Sequence, residues 1–220
     1  MIPKIIHYCW FGPNQISPKA QKCIDSWKKF FPDFQFMFWN ERNSTLDNQF
    51  VQEAIKNKKW AFVADYVRTW ALYTYGGIYF DTDVLVVRSF GDLMCEKVFL
   101  SYEQPERLYV NVAVWGAEKS NEFVHEILKI YEAIEFDIED IFNNAIPIIV
   151  SKQLQKTKET VKVLDYDSFY PFPQKQRRYG NYKKYITSNT YAVHLWDFSW
   201  LTIKERIVIH LKMILSCLKK

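Results

Sequence analysis

The apolar residues of the chain fall into short runs that predict strands and into helically spaced sets that predict helices. Apolar runs predict strands over residues 4–10, 34–39, 98–103 and 109–116, the last with apolar and polar positions in alternation. Helical spacing predicts helices over residues 17–31 and 121–134 and, in two pieces, over 47–75. Strands that alternate with helices in this order predict an α/β fold with a parallel sheet.

Serine, proline and glycine mark several of the predicted boundaries. Ser17 and Pro18 are typical of the N-cap and the first residue of a helix. Gly76 and Gly77 are typical of the end of a helix, here the second helical piece. The stretch 75–87, YGGIYFDTDVLVV, then predicts the next strand.

The remainder of the chain gives weaker patterns. Residues 161–166 and 190–196 predict two short strands, whereas 136–158 show no clear periodicity and receive no assignment. Residues 201–220 predict a basic, amphipathic helix. No repeat or linker interrupts the chain, which predicts a single domain over residues 1–220.

Composition narrows the class of protein. The 220 residues are 49% hydrophobic and 25% charged, as in an ordinary soluble globular protein, and the net charge of +4 lacks the concentrated basic stripe of a nucleic-acid binder. The four cysteines form no CxxC pair, which disfavours a structural zinc site. The sequence has no signal-peptide pattern and no run of about 18 apolar residues, so we expect a cytoplasmic protein.

Asp81 and Asp83 are the first candidate for chemistry, because they interrupt an apolar stretch. A buried carboxylate without a partner is unfavourable, so a cation, hydrogen bonds or a bend that exposes both groups must compensate. Residues two apart on a strand point the same way, so both carboxylates face one site unless the strand bends there. Hard divalent cations such as Mg²⁺ and Mn²⁺ prefer such oxygen ligands.

Two further candidates have both a structural and a functional interpretation. Asp65 and Arg68 lie three residues apart on a largely apolar helix, where they form either a structural ion pair or part of the same cleft as the two aspartates. His194 ends the apolar stretch YAVHLW and is either a core histidine or a metal ligand.

Four segments in this order resemble the DXD-containing sugar transferases of glycosyltransferase family 32. They are IPKIIHYCWFG, SWKKFFPDFQFMFWNERN, WAFVADYVRTWALYTYGGIYFDTDVLV and NTYAVHLWDFSW. That family includes bacterial capsule and O-antigen enzymes and yeast-type initiating mannosyltransferases, and it is more distantly similar to the clostridial glucosylating toxins. The resemblance extends from Met1 to about Trp200.

The resemblance implies a GT-A fold, in which a Rossmann-like, mostly parallel central sheet is flanked by helices and binds a nucleotide-sugar at the carboxyl ends of its strands. It implies transfer with retention of configuration, assisted by Mn²⁺ or Mg²⁺, to a glycan or polyprenyl-linked acceptor. A UDP-sugar is the favoured donor and GDP-mannose the main rival. No carboxylate nucleophile is evident, which favours front-face transfer, and a covalent intermediate through Asp65 stays open.

The resemblance also assigns roles to individual residues. For the donor, Trp10 stacks on the base, Asn40 and Asn43 help to bind the nucleotide, and Asp65 and Arg68 contact the sugar. Tyr79 and Asp81 lie near the ribose, and Ser199 and Trp200 close over the phosphates. At the metal, Asp81 contacts the ribose or a metal-bound water, Asp83 binds the metal directly, and His194 is a further ligand. The catalytic residues are Asp65, Arg68, Asp81 and Asp83. The toxins have a carboxylate where His194 stands.

Three alternatives concern function and location. A haloacid-dehalogenase-like phosphatase also has Asp-x-Asp after an apolar strand, but there the motif opens the domain and is followed two places later by Thr or Val, where this chain has Leu85. A non-catalytic sugar-binding module would suit the aromatic content of 18%. The basic helix over 201–220 either binds the inner face of an anionic membrane or packs on the domain.

Overall fold

A six-stranded sheet forms the centre of the fold in a computed structural model that describes residues 1–177 and 180–197. Its strands are β1 (Ile5–Cys9), β2 (Gln35–Trp39), β3 (Gly77–Phe80), β5 (Val98–Tyr102), β6 (Val110–Ala117) and β7 (Lys162–Leu164). Their order is β2-β1-β3-β6-β5-β7, and β6 is antiparallel to both of its neighbours while the other pairings are parallel. The mostly parallel α/β sheet predicted from the sequence is therefore confirmed.

Helices cover both faces of this sheet. They are α1 (Pro18–Phe30), α2 (Gln49–Lys56), α3 (Trp60–Tyr75), α4 (Glu122–Ala133), α5 (Ile141–Asn144) and α6 (Ile146–Leu154). One core joins α2, α3, α4 and α6 to one face, and the other joins α1 and the aromatic residues of 166–172 to the opposite face. No helix within the described ranges is both long and apolar enough to cross a membrane.

The predicted helix boundaries are confirmed where capping chemistry was visible. The Ser17 hydroxyl accepts a hydrogen bond from the Ala20 amide, and Pro18 is the first residue of α1. Gly76 ends α3 with a φ of 66°, a conformation that glycine adopts without the steric penalty of a β-carbon. This glycine turns the chain directly into β3, so α3 and β3 deliver their polar side chains to neighbouring positions.

The stretch 75–87 is not one strand, which corrects the sequence prediction. The chain bends at residues 81–83, where the Val84 amide donates to the Asp81 carbonyl at 3.0 Å. Beyond the bend, β4 (Val84–Val86) pairs antiparallel with β8 (Ala192–His194) in a separate two-stranded sheet. The bend places the carboxylates of Asp81 and Asp83 just beyond the carboxyl end of β3.

Three other expectations need correction. The strand over 109–116 was expected to alternate, but β6 is buried along its whole length because helices cover one face and an aromatic layer the other. The unassigned residues 136–158 contain α5 and α6. The last strand is limited to β8, and the predicted helix over 201–220 lies outside the described residues.

His7 in β1 predicts a pH-dependent loss of stability. The Trp39 indole donates to its Nδ1 at 3.1 Å, so its Nε2 must carry the proton donated to the Gly76 carbonyl at 2.8 Å. Burial lowers the pKa of His7 to about 4, against a smaller opposing effect of the Gly76 bond. Between pH 6.5 and 4, His7 is therefore protonated in the unfolded chain but neutral in the folded chain. The free energy of unfolding should fall by about 3 kcal/mol as the pH drops across this interval.

Urea unfolding between pH 7.5 and 4 measures this loss. The variant His7→Gln keeps a hydrogen-bonding side chain but does not titrate, so its stability should depend less on pH over this interval. Equal pH dependence in the two proteins would contradict the assignment.

Candidate active site and metal centre

A cleft of about 620 Å³ opens at the carboxyl ends of β1 and β3. Its walls come from the segment after β1, the amino-terminal half of α3, the bend at 81–83, β6, the start of α6 and the end of β8. Its wall carries polar side chains such as Asp65, Arg68 and Asp81 together with apolar ones such as Phe11 and Trp60. Carboxyl ends of strands are where open α/β sheets bind ligands.

Arg68 is the centre of a buried charge network in the cleft. Its Nη2 lies 3.0 Å from Oδ1 of Asp65 and 3.2 Å from Oδ1 of Asp81, and its guanidinium stacks over the Tyr79 ring at 4.5 Å. Asp65 and Arg68 are each only 6% exposed. Both interpretations of this helix pair therefore apply, because the ion pair exists and both residues line the cleft.

The environment of this network shifts the protonation of its members. Burial raises the pKa of Asp65 to about 7, although Arg68 opposes the shift and Asp81 adds to it. Burial also lowers the pKa of Arg68, but the neighbouring Asp81, Tyr79 and Asp65 together raise it above its usual value. The guanidinium therefore stays charged and holds the two carboxylates together.

Asp81 is fixed by two donors on the same oxygen. Besides Arg68, the Tyr79 hydroxyl donates to its Oδ1 at 3.0 Å. The Tyr79 side chain packs in the core beside β3 and is only 1% exposed. The strand therefore fixes the position of its hydroxyl. The arrangement orients the Asp81 carboxylate toward the cleft.

Asp81, Asp83 and His194 form a candidate metal centre. One ligand atom from each lies within 4.8 Å of the others, and Nε2 of His194 is 3.1 Å from Oδ1 of Asp83. The pairing of β4 with β8 places Val84 opposite His194 and so brings the histidine beside the bend. The two carboxylates supply the oxygen ligands that Mn²⁺ and Mg²⁺ prefer, and their adjacent negative charges favour a cation between them.

Protonation favours the same centre. Burial raises the pKa of Asp83, but His194 and the Asp197 amide outweigh it and lower the pKa to about 2. Burial lowers the pKa of His194, but the Asp83 carboxylate outweighs it and leaves it raised. Asp83 is thus ionised and ready to bind a cation, which would replace the histidine proton.

Besides Asp65, Arg68, Tyr79 and Asp81, which line the cleft, the proposed donor-binding residues fall into three groups. Trp10 lines the cleft, and its indole is held by a 2.6 Å hydrogen bond to the Asn14 carbonyl. Asn40 and Asn43 hold the turn after β2 through bonds to each other and to a neighbouring carbonyl, and they are absent from the cleft wall. Ser199 and Trp200 lie outside the described residues.

Asn111 is a site residue that the sequence reasoning missed. It lines the cleft from β6, accepts from the Ala113 amide at 2.8 Å and donates to Oε2 of Glu103 at 2.8 Å. A single polar residue inside the apolar run YVNVAVW was a signal that could have found it. Lys58 and Trp196 also line the cleft, and their sequence context contained no comparable signal.

Comparison with known proteins gives matches to glycosyltransferases. Residues 17–100, which contain the α3 ion pair and both aspartates of the bend, match the family model described as the glycosyltransferase sugar-binding region containing DXD motif. The chain is 31% identical over 137 residues to inositol phosphoceramide mannosyltransferase 3 of Schizosaccharomyces pombe, which covers 58% of the chain and 36% of that protein.

Two other proteins extend this picture. The chain is 31% identical over 118 residues to uncharacterized glycosyltransferase L373 of Acanthamoeba polyphaga mimivirus, covering 50% of the chain and 47% of that protein. The chain thus spans less than half the length of either relative. The solved PaToxG glycosyltransferase superposes with a TM-score of 0.56 at 21% identity, covering 70% of this chain and 68% of that one. The chain has the GT-A glycosyltransferase fold, and its residues 17–100 match the DXD-containing sugar-binding region of glycosyltransferases.

Proposed function

We propose that the protein is a metal-dependent, retaining glycosyltransferase that uses a nucleotide-sugar donor. The observation that carries the proposal is the convergence of the Asp65–Arg68 pair and the Asp81–Asp83–His194 centre on one cleft. A UDP-sugar remains the favoured donor, and GDP-mannose is the alternative because a relative is named as a mannosyltransferase.

The side chains divide the work of the reaction between them. Asp81, Asp83 and His194 would hold Mn²⁺ or Mg²⁺, which as a Lewis acid stabilises the negative charge of the departing nucleoside diphosphate. Asp65 and Arg68 bind the donor sugar, and Arg68 keeps the Asp81 carboxylate in place.

Front-face transfer is the mechanism we propose, in which the acceptor hydroxyl attacks from the side of the leaving group. Asp65 is a poor nucleophile because Oδ1 pairs with Arg68 and Oδ2 accepts from the Ile146 amide at 3.4 Å. The raised pKa of its carboxyl, about 7, also leaves about half of it protonated and therefore not nucleophilic at neutral pH.

Donor hydrolysis with and without Mn²⁺ tests the function. Incubation with UDP-glucose, UDP-galactose and GDP-mannose should release nucleoside diphosphate slowly from one of them, and chelation should stop the release. A phosphatase would instead prefer phosphomonoesters, and a sugar-binding module would release nothing from any substrate. Either of those results would overturn the proposal.

Trp10→Ala should raise the donor KM far more than it lowers kcat. Stacking on the base contributes equally to the ground state and the transition state, so its loss weakens binding without slowing the chemical step. Such stacking is worth roughly 1–3 kcal/mol, which corresponds to about a 5- to 150-fold rise in KM. Trp70→Ala, which removes an aromatic ring outside the cleft wall, is the control. An unchanged KM would mean that Trp10 serves only packing.

We also propose that the acceptor carries an apolar group, as a polyprenyl-linked glycan of bacterial surface polysaccharide synthesis would at the cytoplasmic membrane face. Ile138, Ile141 and Phe142 are 41%, 37% and 64% exposed, and Ile141 belongs to the cleft wall. Asp137 precedes these residues and Glu139 and Asp140 lie between them, so this surface suits an apolar group of the acceptor better than anionic lipid headgroups.

Ile141→Ser should therefore reduce transfer to an octyl glycoside more than transfer to the matching methyl glycoside. The expected loss is roughly 10-fold. An octyl chain that can no longer bury its surface against a large apolar side chain loses about 1.5 kcal/mol or more of binding free energy. Ile186→Ser is the control, since Ile186 is exposed to the same 37% as Ile141 but lies away from the cleft wall. Equal losses for both glycosides would contradict an apolar acceptor site.

A further inference from the structure

The segment 195–197 wraps around Asp83 with main-chain hydrogen bonds. The Leu195 amide donates to the Asp83 carbonyl at 2.9 Å, and the Asp197 amide donates to the Asp83 side-chain Oδ2 at 2.7 Å. With Oδ2 occupied in this way, Oδ1 is the oxygen that faces His194 at 3.1 Å. The segment thus selects which oxygen of Asp83 is presented to the candidate metal centre.

This wrapping depends on an unfavourable backbone conformation. Trp196 has a φ of 53°, in the left-handed region that bulky residues rarely occupy and that surrounding contacts must therefore enforce. Its ring packs on the His194 ring at 4.1 Å, and its indole donates to the Phe172 carbonyl at 2.7 Å. These contacts hold the side chain of Trp196. The side chain of its C-terminal neighbour, Asp197, is held by a separate contact.

Lys19 on α1 supplies that hold. Its ammonium lies 2.9 Å from Oδ1 of Asp197 and 3.5 Å from the Leu195 carbonyl. One side chain therefore contacts both the first and the last residue of the segment. The pair is partly exposed, with 39% of the lysine and 28% of the aspartate side chain accessible.

The same helix also anchors the other side of the metal centre. The Trp27 indole donates to the Val84 carbonyl at 2.7 Å, and the Val86 amide donates to the Ser26 hydroxyl at 3.0 Å. One face of α1 therefore holds β4 directly after Asp83 and, through Lys19, the segment directly after β8. The position of Asp83 is fixed between these two attachments.

We propose that Lys19 is a positioning residue for the metal centre: by holding Asp197, it keeps the main-chain amide on Oδ2 of Asp83 and reserves Oδ1 for the cation. The inference rests on the metal dependence proposed above. Outer groups that orient a metal ligand commonly change metal affinity 10- to 100-fold, and partial exposure of this ion pair reduces the effect. Lys19→Met should therefore weaken Mn²⁺ binding by roughly 3- to 10-fold.

Titration of free Mn²⁺ by electron paramagnetic resonance measures this affinity in the full chain. Lys19→Arg should restore binding close to that of the wild type because it keeps the cation. Lys22→Met, which removes an exposed lysine one turn along α1, should bind as tightly as the wild type. In the metal-free protein, Lys19→Met should also accelerate hydrogen exchange at the Asp197 amide, with little change in Tm.

These measurements distinguish a failure of the positioning role of Lys19 from a failure of the proposed metal dependence. Wild-type affinity in Lys19→Met, or an equal loss in Lys22→Met, would overturn the role of Lys19 and leave the metal centre intact. An exchange rate at Asp197 that does not change would also overturn it. If the wild type itself binds no Mn²⁺, the proposed metal dependence fails, and the positioning role fails with it.

Discussion

Asp83→Asn should abolish Mn²⁺ binding and reduce transfer by roughly 100- to 1,000-fold, the range seen when one group that stabilises developing negative charge is removed. The amide removes a negative charge from the candidate centre. Its oxygen can still accept from the Asp197 amide, so the segment 195–197 should keep its conformation. Release of nucleoside diphosphate and Mn²⁺ titration are the two measurements.

An exposed carboxylate provides the control for this experiment. Asp33 forms an ion pair with Lys4 in which both side chains are more than half exposed, so Asp33→Asn should leave metal binding and transfer unchanged. A folded Asp83→Asn protein with near-wild-type turnover in Mn²⁺ would show that the metal assignment is wrong.

Arg68→Met should have the largest effect on stability. The substitution leaves Asp65 and Asp81 close together in the cleft without the cation that joins them. Removing one partner of a buried ion pair usually destabilises a protein by about 3–5 kcal/mol, because the remaining charge is left without compensation. Urea unfolding at pH 8, where Asp65 of the wild type is mostly ionised, measures the loss in free energy of unfolding; in the variant the pKa of Asp65 rises further, because Arg68 no longer lowers it.

Two comparisons make that result interpretable. Arg107→Met breaks an ion pair with Asp165 in which both side chains are 60% exposed, and it should destabilise by less than about 1 kcal/mol. The double variant Asp65→Asn/Arg68→Met should recover part of the lost stability, because a neutral amide replaces the buried carboxyl that has lost its partner. No recovery would mean that Arg68 acts through its packing on Tyr79 and its hydrogen bonds to the Ala64 and Val112 carbonyls, and not through its pairing with Asp65.

The sequence predicted those features that depend on local chemistry. Ser17 and Pro18 identify the start of α1 because capping is decided within a few residues. Asp81 and Asp83 stand out because carboxylates inside an apolar stretch demand a physical explanation. The same reasoning allows for the bend between β3 and β4, although the apolar pattern alone predicts one strand.

Long-range contacts limited what the sequence could reveal. Nothing local indicates that β8 pairs with β4, which decides that His194 lies beside Asp83. Lys19 is an ordinary surface lysine by sequence, and its contact with Asp197 depends on a chain segment 178 residues away. Asn40 and Asn43 show the opposite case, since their asparagine-rich turn looks suited to ligand binding but uses its amides to hold itself.

The distance along the chain between the metal ligands affects how the protein matures during synthesis. Asp83 and His194 are 111 residues apart, and the amide that orients Asp83 comes 114 residues after it. A ribosome that has exposed the first five strands has therefore made both carboxylates but neither the imidazole nor the segment that orients Asp83. Because a domain folds as a unit, affinity for the cation should arise only late in translation, after all six strands of the main sheet and β8 have been made.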